Sequence, residues 1–341
     1  MINNLLSMFY KAAVNQRNKR FDEKKKAIKR SSVPVLSVGN LSVGGTGKTP
    51  FVQMLGTALI NMGYKPAVVG RGYKRKTKGE IVVSDGNRIL ANAAEAGDEM
   101  LLLAEALKVP VIAHDEKAEG AKIAPEKFNI DVVRLDDGYQ HRQLYRDLDI
   151  VLIDRDTVEN PHVMPKGRLR EPIESLQRAD VICLTNQAEL TDEFVKNIHE
   201  NAIYISVKPI LGKAYNLVDG RHTSRREFRD IQNGTIAVSG IAKPERFREM
   251  IENLHIKISE KLDFPDHHDY TRVDLNKIVE NCRMNNANSI VTTEKDAAKL
   301  REYKQFFAEN DIKCYVFPVS LTIIEGKSPF FRKLKEILNN R

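Results

Sequence analysis

The run Ser42-Val43-Gly44-Gly45-Thr46-Gly47-Lys48-Thr49 constrains this chain more than any other segment. It follows the β-branched run at 35–38 and precedes a helical pattern over 49–62. Glycines let the backbone wrap close to an anion, and the amides at a helix start favour phosphate oxygens. In such a loop Lys48 can bridge the terminal phosphates of ATP and the Thr49 hydroxyl can ligate Mg²⁺. One position departs from the GxxxxGK[ST] pattern, where Ser42 replaces the first glycine. Strand, glycine-rich loop, Lys-Thr and helix in that order specify a P-loop NTPase-type α/β domain with a largely parallel sheet.

The rest of the chain repeats that rhythm. Strands are expected at 67–69, 81–84, 109–113, 132–135, 150–153, 181–185 and 203–207, with helices over 95–107 and 191–200. A stretch rich in charge and turn residues at 213–233, with Asp219-Gly220 as a hairpin signal, reads as a linker. Strands then resume at 235–239, 257–262, 289–292 and 313–319, and Phe330, Phe331, Leu334, Ile337 and Leu338 recur at helical spacing near the end. The expected organisation is a basic helix within 1–30, a P-loop domain at 31–212, the linker at 213–233, and a smaller α/β domain with a C-terminal helix at 234–341.

Charge is concentrated at one end. Of the net +8, residues 1–30 supply +7, with nine basic residues against two acidic ones, so the other 311 residues are nearly neutral. That argues against a nucleic-acid surface spread over the body. Ile2, Leu5, Leu6, Phe9 and Ala13 fall on one face of a helix over 2–13, with Asn3, Asn4, Ser7 and Lys11 opposite. Such a helix is about 18 Å long, short of the roughly 30 Å hydrocarbon core, so it is expected to lie in a membrane interface beside the basic cluster 17–30. No apolar run reaches about 18 residues, and the apolar part precedes the basic part, the reverse of a secretory signal. Cys183, Cys282 and Cys314 lack metal or redox spacing and read as reduced core thiols.

Three acidic or histidine clusters could complete a phosphate site. Asp136-Asp137 follows the strand at 132–135, as a metal-binding acid at a strand end should. Asp98-Glu99 opens a helix after Gly97, where carboxylates also serve as simple caps. His267-His268 sits in a proline-containing loop, and adjacent side chains there do not suit a zinc site.

Together the motifs resemble the tetraacyldisaccharide 4'-kinase family, the lipid A 4'-kinases. The resemblance runs from about residue 33 to 300, through Val38 to Pro50, Arg71-Gly72-Tyr73, Gly97-Asp98-Glu99, Asp136-Asp137-Gly138-Tyr139-Gln140-His141, Gly167-Arg168-Leu169-Arg170-Glu171-Pro172, Ser239 to Phe247, Asp266-His267-His268 and Thr292-Thr293-Glu294-Lys295-Asp296. It implies transfer of the ATP γ-phosphate to the 4'-hydroxyl of an acylated disaccharide 1-phosphate lipid, giving lipid IVA. The place implied is the cytoplasmic face of a Gram-negative inner membrane, with no nucleic acid or obligate protein partner. The implied fold is a P-loop domain plus a smaller α/β domain joined by a β-ribbon linker.

By the same resemblance, Ser42, Val43, Gly44, Gly45, Thr46, Gly47, Lys48 and Thr49 cradle ATP, and Asp98, His267 and Lys48 are the catalytic residues, Asp98 as base and His267 as its partner. Thr49, Glu99, Asp136 and Asp137 are the Mg²⁺ or substrate groups. Lys117 stands where the family more often has arginine, which loses a bidentate fork for phosphate, and Arg134 is unusual in its strand. Two other readings stay open: a kinase for a water-soluble acceptor, and a P-loop switch whose nucleotide state controls membrane docking.

Overall fold

The computed structural model describes residues 2–23, 25–44, 46–232 and 234–340; Met1, Lys24, Gly45, Asn233 and Arg341 lie outside them. The chain forms two compact units, one joining Met1–Lys208 to Leu321–Arg341 and the other spanning Pro209–Ser320. Its strands are β1 (Val35–Asn40), β2 (Pro66–Gly70), β3 (Glu80–Asp85), β4 (Pro110–His114), β5 (Val132–Asp136), β6 (Leu148–Asp154) and β7 (Val181–Thr185). They continue with β8 (Ile203–Leu211), β9 (Tyr215–Asn216), β10 (Thr235–Ser239), β11 (Ile258–Asp263), β12 (Ser289–Thr293), β13 (Lys313–Phe317) and β14 (Val319–Glu325).

The first unit carries a nine-stranded sheet in the order β14-β8-β7-β6-β1-β5-β2-β4-β3. Pairings from β4 through to β8 are parallel, and β3 runs antiparallel on β4. Strands such as β1 and β6 are apolar on both faces because helices cover both sides. On one face Leu36, Val38 and Leu152 pack with Phe51, Leu55 and Leu103 of the helices Lys48–Asn61 and Asp98–Leu107. On the other, Val69, Val133 and Leu135 meet the alanines of helix Lys117–Lys127.

The second unit is a five-stranded sheet in the order β11-β10-β12-β13-β9, parallel except at β9. Leu275, Ile278 and Phe307 cover one face and Phe247 and Ile251 the other. All three cysteines are free and buried, as expected of core thiols.

Two expectations are corrected. Residues 213–233 are not a separate linker: the described part carries β9 and helix Arg225–Gln232, and buries Leu217 and Ile231 in the second unit's cores. The chain instead leaves the first unit within β8 and returns within β14, which are neighbours in the large sheet. The C-terminal helix Lys327–Asn339 belongs to the first unit and not the second, because Phe330, Leu334 and Leu338 join the core of Leu36 and Val38.

The N-terminal helix runs Ile2–Asp22, longer than expected. Ser7, Val14, Asn18 and Phe21 face the body and are buried, while Leu5, Leu6, Met8 and Phe9 are 48–69% exposed. Ser7 Oγ donates to the Val163 carbonyl at 3.1 Å, and Lys11 pairs with Glu174 at 2.7 Å. No described helix is long and apolar enough to cross a membrane.

Candidate functional site

Parallel register assembles the site. Val38 of β1 pairs with Asp136 of β5, and Asn40 with Leu152 of β6, so the loops after all three strands emerge at one edge of the sheet. The phosphate loop leaves β1 there. Gly44 at φ 108° and Gly47 at φ 86° adopt left-handed conformations, and the helix Lys48–Asn61 starts immediately after. Asn40 Nδ2 donates to Thr46 Oγ1 at 2.8 Å, bracing the loop from beneath.

Two polar bridges tie the loop to the turn after β6. The Ser42 and Thr157 hydroxyls lie 3.0 Å apart, and Thr157 Oγ1 donates to Asp154 at 2.6 Å. Arg168 donates to the Val43 carbonyl from Nε at 3.1 Å and Nη2 at 2.6 Å, and pairs with Asp156 at 3.5 Å. A Cβ at Gly44 would run into this guanidinium. Ser42 therefore replaces the usual glycine with a tether. Of the expected ATP cradle, Gly45 lies outside the described residues.

Around the lysine and threonine that end the loop stands a charged cluster. Thr49 Oγ1 donates to Glu99 Oε1 at 3.3 Å. Lys48 Nζ lies 3.6 Å from Asp137 Oδ1, and Arg170 Nη1 donates to Asp137 Oδ2 at 2.7 Å. Burial pushes Asp137 up, but Lys48, Lys117 and Arg170 outweigh it and hold the carboxyl at about 2. Its neighbour behaves oppositely: burial and then the charge of Glu99 push Asp136 up to about 6. Lys117 is buried, which lowers its pKa against the pull of Asp137 and Asp136; its ammonium donates to the main-chain oxygens of Asp136 and Asp137.

Among the described residues no three His, Cys, Asp or Glu side chains form a metal cage by themselves. Mg²⁺ rarely needs one, since it keeps waters and substrate phosphates and takes only one or two carboxylates. The Thr49 hydroxyl, Glu99 and the Asp136 carboxyl are hard oxygen donors of that kind, and a cation would offset the burial and the Glu99 charge that raise Asp136. Asp137 is already committed to Lys48 and Arg170.

Asp98 is the first residue of helix Asp98–Leu107, one position from Glu99. Gly97 at φ 84° breaks this helix from the short turn Ala93–Ala96, and the capping box of Asn92 with Glu95 closes that turn. A Cβ at Gly97 would crowd the Tyr73 carbonyl at 2.8 Å, so the glycine lets the Arg71-Gly72-Tyr73 segment approach Asp98 along the chain. His267 lies in the second unit, in the loop after β11, with its Nε2 3.2 Å from Lys295 Nζ. Lys48, Thr49, Glu99, Asp136 and Asp137 thus gather in one cluster, Asp98 adjoins it in sequence, and His267 is carried by the other unit.

Sequence reasoning gave no role to Arg168 or Arg170, and assigned the run holding Lys295 only loosely, to domain closure or the nucleotide side, although all three stood in quoted motifs. Arg134 is fully buried on the Asp136 face of β5, its guanidinium against Gly56, with no hydrogen-bond partner for any of its nitrogens among the described residues. Burial pushes it down to about 9.

Comparison with known proteins agrees with this fold. A tetraacyldisaccharide 4'-kinase of Aquifex aeolicus is 36% identical over 305 residues, covering 89% of this chain and 91% of the relative. One of Syntrophus aciditrophicus is 37% identical over 310 residues, covering 87% and 83%. The crystal structure of LpxK from Aquifex aeolicus in complex with ATP superimposes with a TM-score of 0.78 at 31% identity, over 98% of this chain and 97% of that one. The family model for LpxK, tetraacyldisaccharide-1-P 4'-kinase, matches residues 2–339, and the chain belongs to that family.

Proposed function

We propose that this chain transfers the γ-phosphate of ATP to the 4'-hydroxyl of tetraacyldisaccharide 1-phosphate, the step of lipid A biosynthesis that gives lipid IVA. The observation that carries the reading is the Thr49–Glu99 hydrogen bond of 3.3 Å, which joins the phosphate loop to the helix headed by Asp98. It supports Asp98 as the carboxylate base, one residue from the groups that would handle the phosphate.

Loop amides and Lys48 take the phosphate oxygens, and Asp137, held ionised, keeps the Lys48 ammonium in place. Thr49, Glu99 and Asp136 would hold Mg²⁺, which supplies charge neutralisation on the transferring phosphoryl group. Asp98 accepts the proton of the sugar hydroxyl late in transfer. His267 is assigned as the partner of Asp98 on the strength of the Asp266-His267-His268 motif alone.

The exposed Leu5, Leu6, Met8 and Phe9, beside the basic segment, support docking of the N-terminal helix on an anionic membrane surface, the cytoplasmic face of the inner membrane. The deciding experiment incubates the full chain with labelled ATP, Mg²⁺ and the lipid acceptor in detergent micelles. Phosphorylated lipid is the expected product, and Asp98→Asn should lower kcat by about 10²–10⁴ while ATP affinity survives. Undiminished transfer by Asp98→Asn would remove Asp98 as base, and no transfer by the unaltered chain would overturn the function.

A further inference from the structure

Ser7, Tyr10, Val14, Asn18 and Phe21 recur every three or four residues along the N-terminal helix, on the face turned away from the exposed Leu5, Met8 and Phe9. A helix that only rested on the body would bury an apolar stripe there. Three of these five are polar, and each is bonded to a particular place. Ser7 Oγ accepts from the Lys166 N–H at 2.9 Å as well as donating to Val163. Tyr10 Oη donates to the Arg170 carbonyl at 3.0 Å, and Asn18 Nδ2 donates to Glu171 Oε2 at 3.1 Å. All these partners lie in one segment, 163–171. Beside them Arg17 donates from Nη2 to the Gln140 carbonyl, while Arg142 donates to the Asn18 carbonyl at 3.0 Å and pairs with Asp22 at 2.6 Å.

The contacts converge on the surroundings of Asp137. Arg170, whose carbonyl Tyr10 holds, is the residue whose guanidinium donates to Asp137 at 2.7 Å. Glu171 is fully buried, and among the described residues its two donors, Asn18 Nδ2 and Arg178 Nη2, both fall on Oε2. Arg178 in turn lies over the ring of Tyr139, 4.7 Å from its centroid and two residues past Asp137. Gln140, whose carbonyl Arg17 takes, donates from Nε2 to the Asn40 carbonyl at 2.9 Å, at the end of β1 where the phosphate loop begins. The helix therefore reaches the acidic turn from two sides, through 170–171 and through 139–142, all within the first unit.

We propose that Tyr10 and Asn18 are positioning residues of the phosphate site. Through Arg170 and Glu171 they set the place of Asp137, and with it that of the Lys48 ammonium 3.6 Å away. Displacing a cation that grips phosphate weakens its charge-assisted hydrogen bonds. The role is distinct from docking on lipid, which belongs to the outer face of the helix. It rests on the reading of Lys48 as a group that binds the phosphates of ATP.

The test measures the Kd of labelled ATP with Mg²⁺ by equilibrium dialysis of the full chain in detergent, with no lipid acceptor present. Tyr10→Phe removes one hydroxyl, and Asn18→Leu removes the amide with little change of volume. Each should raise Kd about three- to tenfold, and Asn18→Gln, which keeps a donor, should recover most of the loss. Partial unfolding would lower the number of sites and leave Kd as it is. Gln16→Ala, at an exposed position of the same helix, should bind as the unaltered chain does. In an Asp137→Asn chain, Tyr10→Phe and Asn18→Leu should add little to a Kd already raised, because their path ends at that carboxylate. An unchanged Kd in both variants, or an undiminished further rise in the Asp137→Asn chain, overturns the proposal. If Lys48→Met binds ATP as tightly as the unaltered chain, the reading of the phosphate loop falls first and the proposal with it.

Discussion

The ammonium of Lys117 donates to the carbonyl oxygen of Asp137 at 2.6 Å, under a residue held at φ 48°. The same ammonium reaches the Asp136 carbonyl at 2.9 Å. A side chain whose value for gripping a phosphate was doubtful as lysine is thus a buried brace for the acidic turn. Lys117→Met leaves those two carbonyls without their buried ammonium donor, and should cost about 1–3 kcal/mol of stability. Urea unfolding measures it; an unchanged midpoint would show that the turn holds itself.

Arg168 clamps the phosphate loop from outside through Val43. Arg168→Ala should raise the KM for ATP about three- to tenfold with kcat little changed, since the loop's shape and not the chemistry is disturbed. Gly44→Ala should do worse, because φ 108° and the guanidinium both reject a Cβ. Steady-state kinetics at saturating lipid separates the two parameters, and a loss confined to kcat would count against the clamp.

Arg134 is a buried charge with no hydrogen-bond partner among the described residues. Replacing such an ion by an apolar side chain of similar length commonly stabilises a protein by about 1–4 kcal/mol. Arg134→Met should therefore raise the denaturation midpoint. A fall would mean that the guanidinium compensates Asp136 more than its own desolvation costs.

The N-terminal helix separates attachment to the body from attachment to lipid. Removing residues 1–25 would also strip Ser7, Asn18 and Phe21 from the first unit, so truncation confounds two effects. Substituting Leu5, Leu6 and Phe9 together by Ser should instead abolish cosedimentation with anionic vesicles and leave thermal stability within about 0.5 kcal/mol, as exposed positions allow. Undiminished vesicle binding would dismiss the exposed stripe as an anchor.

Local pattern made the central strands most readable, because each is a short apolar run buried on both faces. The phosphate loop and the Asp136-Asp137 turn were readable for the same reason: each is a short segment that follows a strand. What pattern could not carry was partnership across the chain. Ser42 with Thr157, Arg168 with Val43 and Lys295 with His267 are 115, 125 and 28 residues apart. Nor could it assign Val319–Glu325 to the large sheet or Lys327–Asn339 to the first core, since an amphipathic helix does not record which apolar surface it covers. Helix Lys117–Lys127 was missed because its core face is alanine and glycine, and Pro125 interrupts its pattern.

The return of β14 and the last helix to the first unit has a consequence for biogenesis. During synthesis the ribosome delivers Val35–Leu211 long before Leu321, Phe330 and Leu334, yet those late residues fill the same core as Leu36 and Val38. The second unit, by contrast, is one uninterrupted segment. It can fold as it emerges, while the nucleotide-binding unit waits with an open sheet edge and an uncovered apolar face. That interval is when a nascent chain most needs protection from aggregation, so chaperone demand should track the delay between residues 208 and 321.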